Sequence, residues 1–388
     1  MGKFIYLDNA ASTPVAGEVA TEMLPFFSQQ YGNPSSIHAM GRENSRAIQL
    51  ARKRVASLVG SSPREIVFTS GGTESDNFAI QGVAIRSPPE KRRIVTSSIE
   101  HDAVLEVCRE LERRGFQVSY LPVTAEGLVT AEVLAAEMSP DVALVSIMFA
   151  NNEVGTIQPV KELASIAHSF GALFHTDGVQ AAGKIPIDVK ELGVDMMSIS
   201  SHKINGPKGV GTLYIKTGTK LSPLILGGGQ ESLLRSGTEN VQGIAGFGKA
   251  CELASSRIGE SKVSELCDHM IKRVISEIPH SRLNGSPTLR LPGSCHFTFF
   301  GVSGEDLIIK LDENGIAAST GSACSVKKQK ASHVLKAMGF SYEEITGSLR
   351  LSLGPQNTRD EIDRAVDVLS TVVAELRAVS PFKKYSRP

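Results

Sequence analysis

Between about residue 15 and residue 215 the chain repeats one pattern: an apolar run of strand length, then a stretch whose apolar residues recur at helical spacing. The runs are EIVFT (65–69), RRIVT (92–96), QVSYL (117–121), VALVSIM (142–148), ALFHT (172–176), VDMMSIS (194–200) and VGTLYI (210–215). A strand apolar along its whole length is buried on both faces, and strands alternating with helices pair mainly in parallel, because each helix returns the chain to the same end of the sheet. The pattern predicts an α/β fold: a mainly parallel seven-stranded sheet with helices on both faces.

At 388 residues the chain exceeds what one core ordinarily supports. After Val241 the character changes to a long helical run reaching about Ile278. It is followed by a strand at CHFTFF (295–300), a helix around Glu305 to Glu313, a strand at SLRLSL (348–353) and a last helix. Thr358 with Glu361 three residues on is a capping box, and Ile362, Val366, Leu369, Val373 and Leu376 fall on one face behind it. We expect a large domain over 15–255 and a small α+β domain built from 1–14 and 256–388.

Charge and cysteine usage exclude several classes. Lysine plus arginine (41) balances aspartate plus glutamate (41), which gives no electrostatic reason to expect nucleic acid or an anionic membrane as partner. The longest apolar run, Val142 to Ala150 broken by Ser146, is too short to span a bilayer, and the N-terminal apolar run is too short for a signal peptide. A soluble cytoplasmic protein acting on small molecules and proteins is expected. Five cysteines without a C-x-x-C pair argue against a disulfide scaffold or zinc cluster, and no two histidines have metal-site spacing, so no metal is expected.

Three strand ends carry unusual chemistry. In FTSGGTESDN a strand runs through Gly71 and Gly72 into a helix beginning near Thr73; outward amides there suit a phosphate, or the segment is simply a strand-to-helix turn. In LFHTDGVQAAGK, Asp177 lies just past a buried strand and needs a cationic partner, either a ring nitrogen or a helix N-terminus, with Gln180 within reach of the same ligand. In MMSISSHKINGPKG, Lys203 ends a strand in a rigid Gly/Pro turn. Ligands of open α/β sheets bind at such strand ends.

A phosphate cradle, a buried carboxylate and a turn lysine together match the needs of pyridoxal 5'-phosphate. The lysine forms a Schiff base, the aspartate keeps the ring nitrogen protonated, and the helix end holds the phosphate. His101 opens a helix after another strand of the sheet, either over a flat ring as a proton shuttle or as an ordinary helix-start histidine. His202 can donate to the phosphate.

Cys108, Cys251, Cys267 and Cys295 each share an apolar stripe and read as core. Cys324 does not: it sits in STGSACSVKKQK, beside Lys327, Lys328 and Lys330, where a thiolate is modestly stabilised. It is either a nucleophile on a travelling loop (about 320–332) or an incidental surface cysteine. The lysines are either a solvated face or a docking patch for an acidic partner.

The segments TSGGTESDN, SSIEHDAV, ANNEVGTIQP, HTDGVQAAGKIPIDV, SISSHKINGPKGVG, GGGQESLLRSGTEN, STGSACS and SLRLSLG, in this order, resemble the class I cysteine desulfurases (NifS/IscS-like) of the fold type I pyridoxal phosphate enzymes. The likeness runs from about Tyr6 to Pro381. It implies that Lys203 holds the cofactor covalently, that Asp177 pairs with the pyridine nitrogen and that Gln180 touches the ring hydroxyl. It further implies that Gly72, Thr73, Ser200 and His202 bind phosphate with Thr238 of a second subunit, and that His101 stacks on the ring and moves protons. Asn152 and Arg350 orient the amino acid, Arg350 gripping its carboxylate, while Cys324 takes the sulfur of L-cysteine as a persulfide and releases L-alanine.

The implied protein is a homodimeric sulfurtransferase that passes sulfur to an acceptor or scaffold protein, for example for iron-sulfur cluster assembly. The alternatives are a selenocysteine lyase, a non-catalytic binding platform of the same fold, and an aminotransferase, in which Cys324 has no task.

Overall fold

The computed structural model describes residues 4–320 and 331–380. A short N-terminal strand, β1 (Ile5–Tyr6), precedes the large sheet. That sheet consists of β2 (Ile66–Thr69), β3 (Arg93–Ser97), β4 (Gln117–Leu121), β5 (Val142–Ser146), β6 (Leu173–Asp177), β7 (Met196–Ser200) and β8 (Gly211–Ile215). All seven apolar runs are therefore strands of one sheet, in the order β2-β8-β7-β6-β5-β3-β4. Five neighbouring strands pair in parallel, whereas β8 is antiparallel to both β7 and β2. The reason is the connection: between β7 and β8 there is only one turn of 3-10 helix, Ser201–Lys203, too little chain for a helical crossover.

Adjacent residues of one strand feed opposite faces, as the pleat requires. Val145, Phe174, Met197 and Tyr214 pack under helices Ala39–Leu58 and Val241–Arg257, whereas Leu144, Met196 and Leu213 pack under Gly72–Arg86 and Asp102–Arg113. Chain direction across the sheet reverses between β3 and β5: β3 leads outward to the edge strand β4, and β5 leads the other way to β6. Such a reversal opens a crevice at the carboxyl ends of the strands.

The remaining strands are β9 (Ser281–Leu283), β10 (Ser294–Phe299), β11 (Ile316–Ala317) and β12 (Ser348–Ser352). β12, β10 and β9 form an antiparallel sheet, and β11 pairs in parallel with β1. Their core joins Ile5 and Leu7 to Met270, Phe297, Phe299, Leu349, Ile362 and Val366. The Thr358 capping box forms as read, with both Thr358 and Glu361 making their reciprocal bonds at the start of Arg359–Val379.

One expectation needs correction. The helical run to Ile278 is two helices, Val241–Arg257 and Lys262–Glu277, because the chain turns at Gly259 with φ at 94°, a conformation that favours glycine. Cys108, Cys251, Cys267 and Cys295 are all buried.

Candidate active site

The crevice collects side chains from the ends of β3, β6 and β7, from the start of the helix after β2, and from β12. Lys203 sits in the turn after β7 and donates from Nζ to the carbonyls of Ala10 (2.6 Å) and Ala11 (2.8 Å), so the N-terminal segment crosses the mouth of the large sheet. Thr13 reinforces that crossing: its hydroxyl donates to the His202 carbonyl at 2.9 Å.

Asp177, at the end of β6, is 6% exposed, and its Oδ1 accepts from the Val179 amide at 2.9 Å. Burial pushes its carboxyl above the usual range, while His101, the Val179 N–H and Lys203 pull the other way. A desolvated carboxylate facing an imidazole and an ammonium is a site for a further cation such as a protonated ring nitrogen.

His101 caps the helix Asp102–Arg113, with Nδ1 accepting from the Ala103 amide at 3.1 Å. In the neutral ring the proton is therefore on Nε2. Beneath Asp177 lies a second buried layer. His175 bonds to Ser146 (2.9 Å) and Ser198 (3.0 Å), and its Nε2 is 3.7 Å from Asp76 Oδ1. Burial holds His175 neutral, down to about 3, and burial together with the neighbouring Asp177 pushes the Asp76 carboxyl well above the usual carboxylate range.

The helix Gly72–Arg86 begins at Gly71 with no side-chain cap, which leaves its first amides open to an external anion; the one acid of the first turn, Glu74, is engaged with the Ser70 amide and Arg235 instead. Gly72 leaves room for Val179, whose Cγ2 would lie 2.7 Å from a Cβ there and would have to shift. Ser200 is buried next to this turn, and His202 bonds to Ser12 at 3.2 Å. Burial, then Lys203, Lys208 and Lys184, lower His202 to about 4 and leave it neutral. Thr73 is exposed on the first turn.

Thr238 is exposed on a segment whose Arg235 pairs with Glu74 at 2.8 Å, one residue beyond Thr73. These residues fit pyridoxal phosphate: an uncapped, glycine-lined helix start for the phosphate, Asp177 for the ring nitrogen, and Lys203 as the amine.

Arg350 arrives from the small lobe on β12, 2% exposed, donating to the Asn152 carbonyl (2.8 Å) and to Asp8 Oδ1 (2.8 Å). Gln180 is buried and donates from Nε2 to the Ala10 carbonyl (3.0 Å) while Oε1 accepts from Lys184 Nζ (2.9 Å). The structure thus brings together Lys203, Asp177, His101, Gln180, Gly72, Ser200, His202, Asn152 and Arg350. Cys324 lies outside the described residues. Among those described, no group of three His, Cys, Asp or Glu side chains is arranged to hold a metal ion, and no helix is long and apolar enough to cross a membrane.

Sequence reasoning missed Asp8, Lys184, Asp76 and Glu100. Asp76 reads as a helix-start acid yet is buried. Glu100 is fully buried, accepting from Ser97 and from the Met148 amide (2.9 Å). Burial raises Glu100 from 4.5 to about 8, against the pull of the Ser97 and Met148 bonds.

The fold therefore keeps a proton on Glu100 that the unfolded chain releases, so this group costs stability progressively as pH rises from about 4.5 to 8. Glu100→Gln retains the Oε1 acceptor and is expected to raise the urea midpoint at pH 8 relative to its effect at pH 5. A difference from wild type that stays constant with pH would contradict this account of Glu100.

A lysine, a buried carboxylate and an imidazole converging at strand ends beside an uncapped helix start define an α/β enzyme of the pyridoxal phosphate type. The chain belongs to the Aminotransferase class-V family, whose pattern matches residues 5–365, and within it to the NifS/IscS-like cysteine desulfurases. Members of this family use pyridoxal phosphate.

The chain is 50% identical over 381 residues to "Cysteine desulfurase IscS" of Methanosarcina thermophila, covering 98% of this chain and 94% of that one. It is 48% identical to the protein of the same name from Dictyoglomus turgidum, covering 99% and 98%. Among solved structures it is similar to a "NIFS-LIKE PROTEIN", with TM-score 0.90, 40% identity and coverage of 96% and 100%. It is also similar to "SspA in complex with cysteine", with TM-score 0.82, 38% identity and coverage of 91% and 100%.

Proposed function

We propose that this protein is a cysteine desulfurase that moves the sulfur of L-cysteine onto Cys324 as a persulfide, releases L-alanine and passes the sulfur to an acceptor protein. The observation that carries the reading is the convergence of Lys203, Asp177 and His101 at three strand ends opposite Arg350. Pyridoxal phosphate, when bound, supplies an electron sink for the carbon next to the sulfur. Asp177 keeps the ring nitrogen protonated, and the helix start at Gly72 and Thr73 with Ser200 and His202 takes the phosphate.

In this reading Lys203 and His101 carry the protons, His101 from Nε2. Arg350 and Asn152 orient the amino acid, and Gln180 meets the ring hydroxyl. Arg350 also bonds through its backbone to Ser319 in both directions (2.6 and 3.2 Å), so the segment leading towards Cys324 starts at the carboxylate-binding residue.

The same reading includes a cytoplasmic homodimer in which Thr238 of a second copy completes the phosphate site. Supporting this, Leu226 and Leu233 on the Thr238 segment are 80% and 72% exposed, an apolar surface suited to a partner. The largest core, built almost wholly from residues 19–254, and the core that joins Ile5 and Leu7 to residues 266–373 support a large domain over 15–255 and a small one from 1–14 and 256–388, with a minor cluster of Ile99, Met148 and Val154 against Val334, Leu335 and Met338 joining them. The acceptor proposed from the family likeness is a scaffold for iron-sulfur cluster assembly.

The test is to incubate purified protein with L-cysteine and a reductant and to measure alanine and sulfide. Cys324→Ser is expected to retain the bound cofactor's visible absorption and to lose sulfide release. Full sulfide release from that variant would assign the sulfur transfer to another thiol.

A further inference from the structure

We propose that Lys184 is a positioning residue that acts through Gln180: by donating to Gln180 Oε1 it fixes the amide with Nε2 towards the cofactor ring oxygen. This rests on the reading of Gln180 as the group that meets that oxygen. An amide side chain presents a donor at one end and an acceptor at the other, and a half-turn exchanges them.

Two neighbours settle the choice here. Lys184 Nζ donates in its charged form, which matches the oxygen of Gln180 at 2.9 Å. The Ala10 carbonyl has only an acceptor, so the atom 3.0 Å from it must be the nitrogen. Nε2 carries two N–H bonds; one goes to Ala10 and the second is left for the ligand. The same Ala10 carbonyl accepts from Lys203 Nζ at 2.6 Å, so the pinned amide and the cofactor-anchoring amine share one fixed point.

The placement of Lys184 is unfavourable unless it serves such a purpose. Gln180 and Lys184 are four residues apart, so the contact is local, yet the ammonium faces two other cations: Lys203 from the turn after β7 and Arg350 from β12. Burial first, then these two charges, bring Lys184 down to about 7. It also lines a small cavity with Asn9, Asn152, Gln180 and Ser352. With the donor end of Gln180 outward, the anionic ring oxygen is stabilised; with the amide turned over, an acceptor would face it.

The test uses the cofactor-loaded protein and reads the pH midpoint of the bound cofactor's visible absorption. Stabilising the ring oxygen favours the deprotonated lysine link, so Lys184→Met is expected to raise the midpoint by about one pH unit. Lys184→Arg, which keeps a cationic donor, is expected to stay near wild type. In a Gln180→Ala background, Lys184→Met is expected to have little further effect, because the residue it acts through is gone. Lys184→Ala serves if the methionine variant does not fold.

An unchanged midpoint in a Lys184 variant that still holds cofactor would overturn the proposal. An equal shift with and without Gln180 would also overturn it, by showing that the charge acts directly. A wild-type protein that takes up no pyridoxal phosphate would instead overturn the reading on which the proposal rests.

Discussion

Lys203→Ala is expected to abolish turnover, with alanine formation falling by roughly 10⁴-fold or more, on the scale seen when an enzyme loses its nucleophile. The loss follows from placement. The amine is held at the end of β7 by two carbonyls of the N-terminal segment, its charge is felt by Asp177, and it shares the Ala10 carbonyl with Gln180. Among the described residues Lys184 also brings an ammonium close to this point, and it is engaged with Gln180.

A structural explanation for lost activity can be separated from a chemical one. Removing Lys203 takes a donor from Ala10 and Ala11, which costs about 1–2 kcal/mol. Lys203→Arg can still donate to both carbonyls but cannot form the covalent link. The arginine variant is therefore expected to unfold near the wild-type urea midpoint and to be as inactive as the alanine variant. An arginine variant with a tenth of wild-type activity would remove Lys203 from the chemistry.

Arg350 is expected to give the second large effect, in both binding and stability. It ties three segments together: β12, the turn after β5 through the Asn152 carbonyl, and the N-terminal segment through Asp8. Asp8 retains some solvent contact, so its share of the loss is moderated. Arg350→Ala is expected to cost about 3 kcal/mol of stability, since it leaves a mostly buried carboxylate and a carbonyl without their charged partner.

For the reaction, loss of the forked carboxylate grip is expected to raise KM for cysteine about a hundredfold, with a smaller effect on kcat. Arg350→Lys keeps a charge but cannot serve two acceptors in the same plane, and should fall between the two. A KM within threefold of wild type in the alanine variant would show that the carboxylate is bound elsewhere.

The large sheet was readable because its strands are buried on both faces and therefore uniformly apolar; β5 as VALVS is unmistakable. The two-residue strands β1 and β11 and the three-residue β9 were not readable, because so few residues carry no period. The break at Gly259 was hidden by apolar spacing that continues across it.

At the site, Lys203, Asp177 and His101 stood out because each follows a strand, a position where a charged side chain requires a reason. Asp76 and Glu100 did not, since acids near helix starts usually face solvent, and only the packing of β3 and the helix after β2 shows them buried. Lys184 and Asp8 acquire meaning from partners distant in the chain: Arg350 is 342 residues from Asp8. Local pattern cannot convey such a pairing. The proposed role of Thr238 rests on the family likeness, and that of Cys324 on the family likeness together with the Ser319–Arg350 contact that leads to it.

The central claim is that the lysine at the end of β7 anchors the cofactor. Borohydride reduction of the cofactor-loaded protein, followed by proteolysis and mass mapping of the pyridoxyl group, tests it most directly. The label is expected on the peptide containing Lys203 and absent from the one containing Lys184. A label on Lys184, or on any lysine but Lys203, would contradict the account.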